Sequence, residues 1–434
     1  MNYYIIPKNN FNFELSLKLT NDDIKPCISF SLIFHLTSAY TQLLKLEDIK
    51  NTSNIPNEKG LTEDITNEKV LNEKVITEDI TIDYVNKIVN PFEFIHTNVP
   101  GSILSVSKVK PDSNIFFELM EIFQMFNIND ILATKHKINI AHLTPNHTST
   151  TYLLNMLREE NNDFIIVEDF DYNKLYNKFV TNKFVNNNPV NNNHVTNNHV
   201  TNNHVTNNHV TNNIETKLDL IIFEFSECDY ANTTQYIHNM LLALIIITKY
   251  QANLGTCIIK IDNIFYKAII DIVFLLSSFY DKILLIKPII SNITKGERFI
   301  VCKSFNCGIV ENSNIRNKID EHILTKLNDY GTTTVITDKC IDSLINDEIP
   351  YYFLNKLEES NAVIGQQQLE SYDQIINIFK NRNRDEKIEN LKRQHIQKCI
   401  QWCEKNQLPH NKFIDKVNIF LTPKRKETEC ELSE

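Results

Sequence analysis

Two charged residues stand inside apolar runs, where a charge is expensive to bury. Lys260 lies in the run GTCIIKI, Gly255–Ile261, and Glu224 lies in the run LDLIIFEF, Leu218–Phe225. An ammonium or a carboxylate in such a run costs free energy unless it reaches a partner or a functional site. Lysine and carboxylate side chains can accept and give protons, so both residues are candidates for acid–base chemistry.

The elements around these residues alternate between apolar strands and helices over residues 217–305. Nearly continuous apolar runs suit strands that are buried on both faces of a sheet. Helices between strands imply parallel pairing, and the close final pair permits an antiparallel strand. The pattern predicts an α/β fold with a Rossmann-like, mostly parallel sheet and an antiparallel last strand. The predicted elements after the first run are the helix Tyr236–Tyr250, the strand Gly255–Ile261, the helix Ile264–Tyr280, and the strands Lys282–Ile286 and Arg298–Lys303.

Two repeats with a period of five residues interrupt the chain. The first, Asn57–Thr81, falls in a charged insert assigned to 51–90, and the second, the HVTNN run Asn186–Asn213, falls in an insert of about 182–213. A five-residue period matches neither helix nor strand, and Asn-rich sequence buries too little surface to order itself. The Asn-rich insert is therefore predicted to be disordered, and its histidines lack a preorganised geometry, so no metal site is predicted. These histidines are His194, His199, His204 and His209.

The remaining chain divides into three regions. Residues 1–50 are predicted to form an N-terminal helical segment, with a helix around Phe30–Leu46. Residues 91–305 form the main domain, which also contains a helix, Ile115–Phe126, and a strand, Asp163–Val167. Residues 306–434 are predicted to be mostly helical and to form a second unit. There, the basic stretch Lys380–Lys398 beside Trp402 fits either RNA-backbone contact or a solvated helix face packed by one core tryptophan.

Composition excludes some classes of protein. The chain has 434 residues, of which 42% are hydrophobic, so a large core is expected. A net charge of −10 argues against a uniformly basic protein that coats nucleic acid. We find no signal peptide and no apolar run long enough to span a membrane. Nine scattered cysteines without a paired array favour reduced thiols in a cytosolic protein.

The last part of the main domain has a specific pattern. The segment ILLIKPIISNITKGERFIVCKSF, residues 283–305, contains a strand, Lys-Pro, a serine-containing turn, a glutamate and an aromatic-Ile-Val-Cys-Lys strand. This segment resembles the FtsJ-like (RrmJ-type) RNA ribose 2′-O-methyltransferases of large cytoplasmic DNA viruses, and Ile414–Lys426 resembles the tail of these viral proteins. The matching residues of the segment are Lys287, Pro288, Ser291, Glu297, Phe299 and Cys302.

The resemblance implies a catalytic set, because this family carries a Lys-Asp-Lys-Glu tetrad. Lys260 corresponds to the second lysine and Glu297 to the glutamate, while Glu224 occupies the position of the aspartate. For the first lysine, Lys45 resembles the family context best and Lys87 is the alternative. A ribose hydroxyl is a very weak acid, so a base must take its proton during attack, and a lysine can serve if burial or a nearby cation lowers its pKa.

The resemblance also implies S-adenosyl-L-methionine as the cofactor. The family loop Glu-x-Pro-Gly-Gly-aromatic corresponds to Asn98-Val99-Pro100-Gly101-Ser102-Ile103. Pro100 and Gly101 match, whereas Asn98 and Ser102 replace the acid and the second glycine, which normally lets a ligand approach the backbone closely. We assign Asn98, Pro100, Gly101 and Ser102 to the cofactor site, together with Asp169, which follows the strand Asp163–Val167.

The expected function is therefore methyl transfer to RNA. Capped messenger RNA is the substrate that the resemblance favours, with a protein partner in a viral transcription or capping complex and no membrane partner. The expected location is the cytoplasm of an infected host cell, in a viral factory, or the virion. The altered loop and Glu224 keep an alternative open, a catalytically inactive methyltransferase-like protein that serves as an RNA-binding or assembly subunit.

Overall fold

The computed structural model describes most of the chain outside the two repeats. The described residues are 3–10, 14–53, 81–128, 137–144, 147–158, 164–168, 175, 217–225, 232–312, 315–319, 340–381, 384–411 and 413. The strands are β1 Tyr3–Ile6, β2 Leu15–Thr20, β3 Asn139–Leu143, β4 Phe164–Glu168, β5 Leu218–Phe223, β6 Gln251–Ile261, β7 Tyr280–Ile286, β8 Arg298–Phe305 and β9 Cys340–Ile345. The helices are α1 Phe30–Ser53, α2 Ile82–Val89, α3 Ile115–Met125, α4 His147–Leu157, α5 Thr233–Tyr250, α6 Lys267–Phe279, α7 Cys307–Asn312, α8 Ile315–Ile319, α9 Tyr351–Lys380 and α10 Arg384–Lys405, with a short 3-10 helix at Glu93–Ile95.

Seven strands form the central sheet, in the order β1-β7-β8-β6-β5-β3-β4. Parallel pairs join β3 to β4, β3 to β5 and β5 to β6. Strand β8 is antiparallel to both β6 and β7, and β1 is antiparallel to β7. Five of the seven strands therefore run in one direction, which confirms a mixed α/β fold with a mostly parallel sheet and is compatible with a Rossmann-like fold.

Both faces of the sheet are covered, as the continuous apolar runs predict. Along β5, Ile221 and Phe223 pack into one core cluster with the apolar helices α5 and α6. Leu220 and Ile222 pack into a second cluster with residues of α2, α3 and α10. Because side chains alternate between the faces of a strand, this division shows a three-layer arrangement of helices, sheet and helices.

The ends of the chain differ from the expected arrangement. Residues 1–50 contain β1 and β2 as well as the predicted helix, and β2 pairs with β9 from the C-terminal region. The range 51–90 is not all insert, because α2 begins at Ile82 and buries Val85, Ile88 and Val89. The hydrophobic spacing of IDYVNKIV is typical of a helix, but these residues follow the charged repeat directly and were assigned to the insert with it.

The C-terminal helices belong to the same core as the sheet. Trp402 on α10 is 3% exposed and packs edge-on against Phe117, with 5.9 Å between the ring centroids. The tryptophan is therefore a core residue, which favours the packed-helix interpretation of the basic stretch over stacking on RNA. Residues 306–434 do not form a separate unit among the described residues.

Several expectations fall on residues outside the described ranges. They concern Asp169, the Asn-rich repeat with its four histidines, the tail Ile414–Lys426, and the first repeat up to residue 80. Thr81 is described, and its side chain accepts a hydrogen bond from Tyr84 N at 3.1 Å, capping α2. Among the described helices, none combines the length and apolar composition needed to cross a membrane.

Candidate active site

One lysine and three carboxylates meet at one end of the central strands of the sheet. Lys260 Nζ lies 3.1 Å from Glu118 Oε2, 3.5 Å from Glu224 Oε1 and 3.3 Å from Glu297 Oε2. The Lys260 side chain is 12% exposed, and those of the glutamates are 2%, 8% and 15% exposed, respectively. We call these four residues the Lys260 cluster. Three of its members were selected from the sequence, and the structure brings them together.

The topology of the sheet explains why residues far apart in sequence meet here. Glu224 directly follows β5, and Lys260 is the second-last residue of β6. Glu297 directly precedes β8, which is antiparallel, so the start of β8 lies beside the carboxyl ends of β5 and β6. Open α/β sheets bind their ligands at the carboxyl ends of the parallel strands, so the cluster occupies a typical functional position.

Hydrogen bonds and an aromatic ring hold the cluster in place. Glu224 N donates to Leu143 O at 2.9 Å, and Thr144 Oγ1 donates to Glu224 Oε2 at 2.5 Å, which ties the ends of β3 and β5 together. Lys260 pairs across β6 and β8 with Phe299, and its Nζ lies 5.8 Å from the centre of that ring. These contacts fix the Lys260 ammonium group between the strand ends.

Glu118, on α3, is the member that the sequence interpretation missed. Its Oε2 accepts from Lys260, and its Oε1 accepts from Ser291 Oγ at 2.6 Å. The signal was present, since Glu118 and Glu121 stand inside the apolar helical stretch IFFELMEIFQM. A charge in an apolar helix needs a partner for the same reason as a charge in an apolar strand.

The carboxylates of the cluster differ in their protonation tendencies. Burial raises the pKa of Glu224, although Lys260 and the Thr144 hydroxyl counteract the effect. Burial alone would also raise the pKa of Glu297, but Lys260, Lys295 and Lys287 together hold it below its usual value. Lys295 Nζ lies 3.5 Å from Glu297 Oε1. The site therefore holds at least one firmly ionised carboxylate beside a lysine, and a second that binds a proton more readily.

The two candidates for the first lysine lie elsewhere. Lys45 is exposed on α1, and Lys87 is exposed on α2. Both differ from Lys260, which is enclosed by its carboxylates. Within the part of the chain that the structure describes, neither position contributes a lysine to the ion pairs of the cluster.

The segment proposed as the cofactor loop follows the 3-10 helix and not a strand of the sheet. Its hydrogen bonds close the loop on itself, with Val99 N donating to Leu104 O at 3.0 Å and Ser102 N to Val99 O at 2.8 Å. Gly101 has φ +81°, a conformation that favours glycine, and its missing Cβ faces open space. Gly101 therefore has a backbone conformation that favours glycine. The Asn98–Ser102 segment, however, does not follow the carboxyl end of a strand.

The carboxyl ends of β3 and β5 offer a partial fit for S-adenosyl-L-methionine. Glu224 is a buried carboxylate there, and a carboxylate suits the ammonium group of a bound amino acid. The chain between β3 and α4 contains no glycine, unlike loops that let a ligand approach the backbone. The Glu224 carboxylate thus suits the ammonium group of the cofactor, but no glycine is present to accommodate the rest. Asp169 lies outside the described residues. No group of three or more His, Cys, Asp or Glu side chains in the described residues is arranged to hold a metal ion.

Comparisons with known proteins add little to this geometry. No protein-family model matches the sequence, and no curated protein shows a significant sequence match. Among solved structures, the chain is similar to a Plasmodium falciparum protein provisionally described as a ribosomal RNA methyltransferase. That similarity has 12% sequence identity and a TM-score of 0.29, and covers 44% of this chain and 97% of the other. A similarity this low carries no argument about activity.

Proposed function

We propose that the protein transfers a methyl group from S-adenosyl-L-methionine to a ribose 2′-hydroxyl of RNA at the Lys260 cluster. Capped messenger RNA is the substrate that the sequence resemblance favours. A protein partner in a viral transcription or capping complex, in the cytoplasm of an infected cell or in the virion, belongs to the same proposal.

The convergence of the Lys260 cluster carries the proposal. Lys260, Glu224 and Glu297 are the positions that the sequence resemblance assigns to three members of the family tetrad. They lie on three different elements, and the Lys260 ammonium is within 3.5 Å of both carboxylates. Buried charges need partners wherever they lie, but this set meets at the carboxyl ends of the parallel strands, where open α/β sheets bind their ligands.

The chemistry follows from the charges of the cluster. Three carboxylates around Lys260 favour its ammonium form, which can donate a hydrogen bond to the ribose oxygen. Donors aimed at an oxygen that gains negative charge lower the barrier to attack, with effects of about a hundredfold or more. Glu118, Glu224 and Glu297 fix the ammonium in direction and position, so that the hydroxyl is held for in-line attack.

S-adenosyl-L-methionine supplies an electrophilic methyl group when it is bound. The carboxyl ends of β3 and β5 would receive the amino-acid end of the cofactor, while Glu224 keeps its contacts with Lys260 and Thr144. The loop Asn98–Ser102 and Asp169 would contact the adenosine end. A shared position at the strand ends would bring the methyl donor and the ribose hydroxyl together beside Lys260.

A transfer assay with product analysis tests the proposal. Purified protein is incubated with capped RNA and methyl-labelled S-adenosyl-L-methionine, and the RNA is digested to nucleosides. We expect label in 2′-O-methylnucleosides and its loss in Lys260→Arg, which keeps a positive charge but moves the donor atoms. Lys282→Arg, on an exposed position of β7, is the matched control and should keep activity. Label in a base, or full activity of Lys260→Arg, would contradict the proposal.

The inactive alternative is favoured by the glycine-free turn after β3 and by the exposure of Lys45 and Lys87. Under this alternative, the protein binds RNA but does not bind S-adenosyl-L-methionine. RNA binding by the wild type that Lys260→Arg leaves unchanged, together with no labelled nucleoside, would favour the RNA-binding or assembly subunit.

A further inference from the structure

A cavity of about 370 Å³ lies at the carboxyl end of β7, and the described residues that line it are not members of the Lys260 cluster. The cavity is bounded by the turn after β7, by α9, by β1 and by the segment that follows α2. Its size falls within the range of small-molecule sites, which is roughly 300–1,000 Å³. It is therefore a second candidate site, separate from the reacting centre.

The pairing of the strands sets the separation between the cavity and Lys260. Phe299 on β8 pairs with Lys260 on β6 at one side and with Ile286 on β7 at the other. Neighbouring strands lie about 4.8 Å apart, so the backbone positions of Lys260 and Ile286 are about 10 Å apart. The wall of the cavity begins at the next residue, Lys287. A ribose held at Lys260 and a group held in the cavity would therefore belong to different nucleotides of one strand.

Lys295 contacts both places. Its carbonyl oxygen accepts a hydrogen bond from Lys287 in the cavity wall, and its Nζ lies 3.5 Å from Glu297 Oε1 in the cluster. The Lys295 side chain is 42% exposed, so its ammonium group is also accessible to a ligand from solution. Lysine side chains commonly contact the phosphates of nucleic acids and fix the position of the strand. The turn that carries Lys295 therefore suits the phosphate between two nucleotides, one at each place.

The cavity combines apolar surface with side chains that can contact the edge of a base. Phe92, after α2, and Pro288, after β7, provide apolar surface. Helix α9 contributes Gln367, Glu370 and Gln374, whose spacing of three and four residues places them on one face of the helix. Proteins bind the unpaired bases of RNA by stacking them on aromatic rings and by hydrogen bonds to their edges. The cavity thus offers the groups that a nucleobase requires.

We propose that this cavity binds an adenine base of the RNA, from the nucleotide next to the one that reacts at Lys260. The proposal rests on the proposed function and deepens it, because a base in the cavity would make methyl transfer depend on the RNA sequence. Phe92 stacks on the base, and Glu370 and Gln374 contact its edge.

The side chains on α9 favour adenine over the other bases. At the purine edge that carries N7, adenine offers an amino group and guanine a carbonyl oxygen. The Glu370 carboxylate only accepts hydrogen bonds, so it favours the amino group. Glu370 Oε1 accepts from Gln366 Nε2 at 3.0 Å, and a carboxylate can accept further hydrogen bonds. A glutamine amide such as that of Gln374 can bond to both N6 and N7 of adenine, and pyrimidines lack that N7.

Binding of short RNA to the full chain tests the base site without any need for methyl transfer. Fluorescence anisotropy is measured with labelled hexa-adenylate, hexa-uridylate and hexa-cytidylate at one salt concentration, because phosphate contacts depend on salt. We expect hexa-adenylate to bind at least about fivefold more tightly than the other two. Equal affinities of the three oligonucleotides would overturn the proposal.

Variants test whether the preference arises in the cavity. Gln374→Ala and Glu370→Gln should each lower the ratio of affinities for hexa-adenylate and hexa-uridylate by about fivefold. Phe92→Ala should weaken binding of all three oligonucleotides, since stacking tolerates any base, and thermal unfolding checks that this variant is folded. Asn377→Ala and Asp373→Asn are the controls, because they remove the same kinds of group from exposed positions of α9 outside the cavity wall. A preference that persists in Gln374→Ala or in Glu370→Gln would overturn the proposal.

The outcomes separate the base site from the proposed function. Methyl transfer to RNA by a wild type that binds the three oligonucleotides equally would overturn the adenine site and leave the proposed function in place. A preference for hexa-adenylate that is lost in Gln374→Ala, without any methyl transfer by the wild type, would overturn the proposed function and leave the base site in place. A wild type that binds none of the oligonucleotides would overturn both.

Discussion

The two halves of the central sheet differ in how well they are prepared for chemistry. The half built from β5 to β8 carries the Lys260 cluster, with its lysine and carboxylates in contact and mostly buried. The half built from β3 and β4 ends in a turn without glycine, and the loop Asn98–Ser102 belongs to a separate segment. The charged groups of the first half are therefore fixed by mutual contacts, whereas the chain between β3 and α4 in the second half offers no glycine at which a ligand could approach the backbone closely.

This contrast has a physical basis. A buried lysine must keep its carboxylates, since losing one partner leaves an uncompensated charge in the core. A cofactor loop on the surface can change without such a penalty, because its groups remain in contact with water.

The largest effect is expected from Lys260→Ala, in the β5–β8 half. The variant leaves the buried carboxylates Glu118 and Glu224 without their cation, while Glu297 keeps Lys295, so it should lose about 3 kcal/mol of unfolding free energy and about a hundredfold or more of kcat. Lys260→Arg should keep much of the stability while losing transfer. Urea unfolding and the methyl-transfer assay measure the two effects, and equal stability of Lys260→Ala and the wild type would show that the ion pairs contribute nothing.

A second effect concerns Glu121 on α3, which ties this helix to the turn after β7 by accepting backbone hydrogen bonds from Ile289 N at 3.3 Å and Ile290 N at 3.5 Å. Burial raises the pKa of Glu121 from 4.5 to about 7. Between pH 4.5 and about 7, the folded state keeps a proton on Glu121 that the unfolded state has released. The contribution of Glu121 to the free energy of unfolding is therefore most favourable below pH 4.5 and falls as the pH rises to about 7. The loss is on the order of 3 kcal/mol.

Glu121→Gln should remove the pH dependence of this loss, because the amide cannot ionise, although its single oxygen replaces the two that accept from Ile289 N and Ile290 N. Urea unfolding of the variant and the wild type at several pH values between 4.5 and 7 gives the difference directly. Glu348→Gln, at an exposed position, is the control. Parallel stability curves for the wild type and Glu121→Gln would rule out the raised pKa.

A smaller effect is expected from Gly101→Ala, in the proposed cofactor loop. The added methyl group meets open space, so the cost comes from φ +81° alone and should be about 1 kcal/mol. If the loop contacts the cofactor, affinity for S-adenosyl-L-methionine should fall as well. Thermal unfolding and calorimetry separate the two, and reduced stability with unchanged affinity would remove the loop from the cofactor site.

The smallest effect is expected from deletion of Asn186–Asn213. This repeat falls outside the described residues, and its composition predicts no contribution to the core. Deletion should change the unfolding free energy by less than about 0.5 kcal/mol. A large drop in the melting temperature would mean that the repeat packs against the folded domain.

Local pattern explains what the sequence could predict. Apolar runs at Leu218–Phe225 and Gly255–Ile261 gave strands, and the charge within each run marked Glu224 and Lys260. Pairing of β2 with β9, 320 residues apart between Thr20 and Cys340, leaves no local signal. Glu118 had a local signal, because it is a charged residue in an apolar helical run, but its ion pair with Lys260 depends on where α3 packs against the sheet.

Binding of S-adenosyl-L-methionine to the wild-type protein, measured by calorimetry, tests most directly whether the two halves form one methyltransferase site. We expect saturable binding with a micromolar Kd, despite the altered loop and the lack of glycine between β3 and α4. Binding should persist in Lys260→Arg, which changes the reacting centre and keeps the buried charge. No detectable binding to the folded wild type would contradict a methyltransferase and leave the Lys260 cluster without its methyl donor.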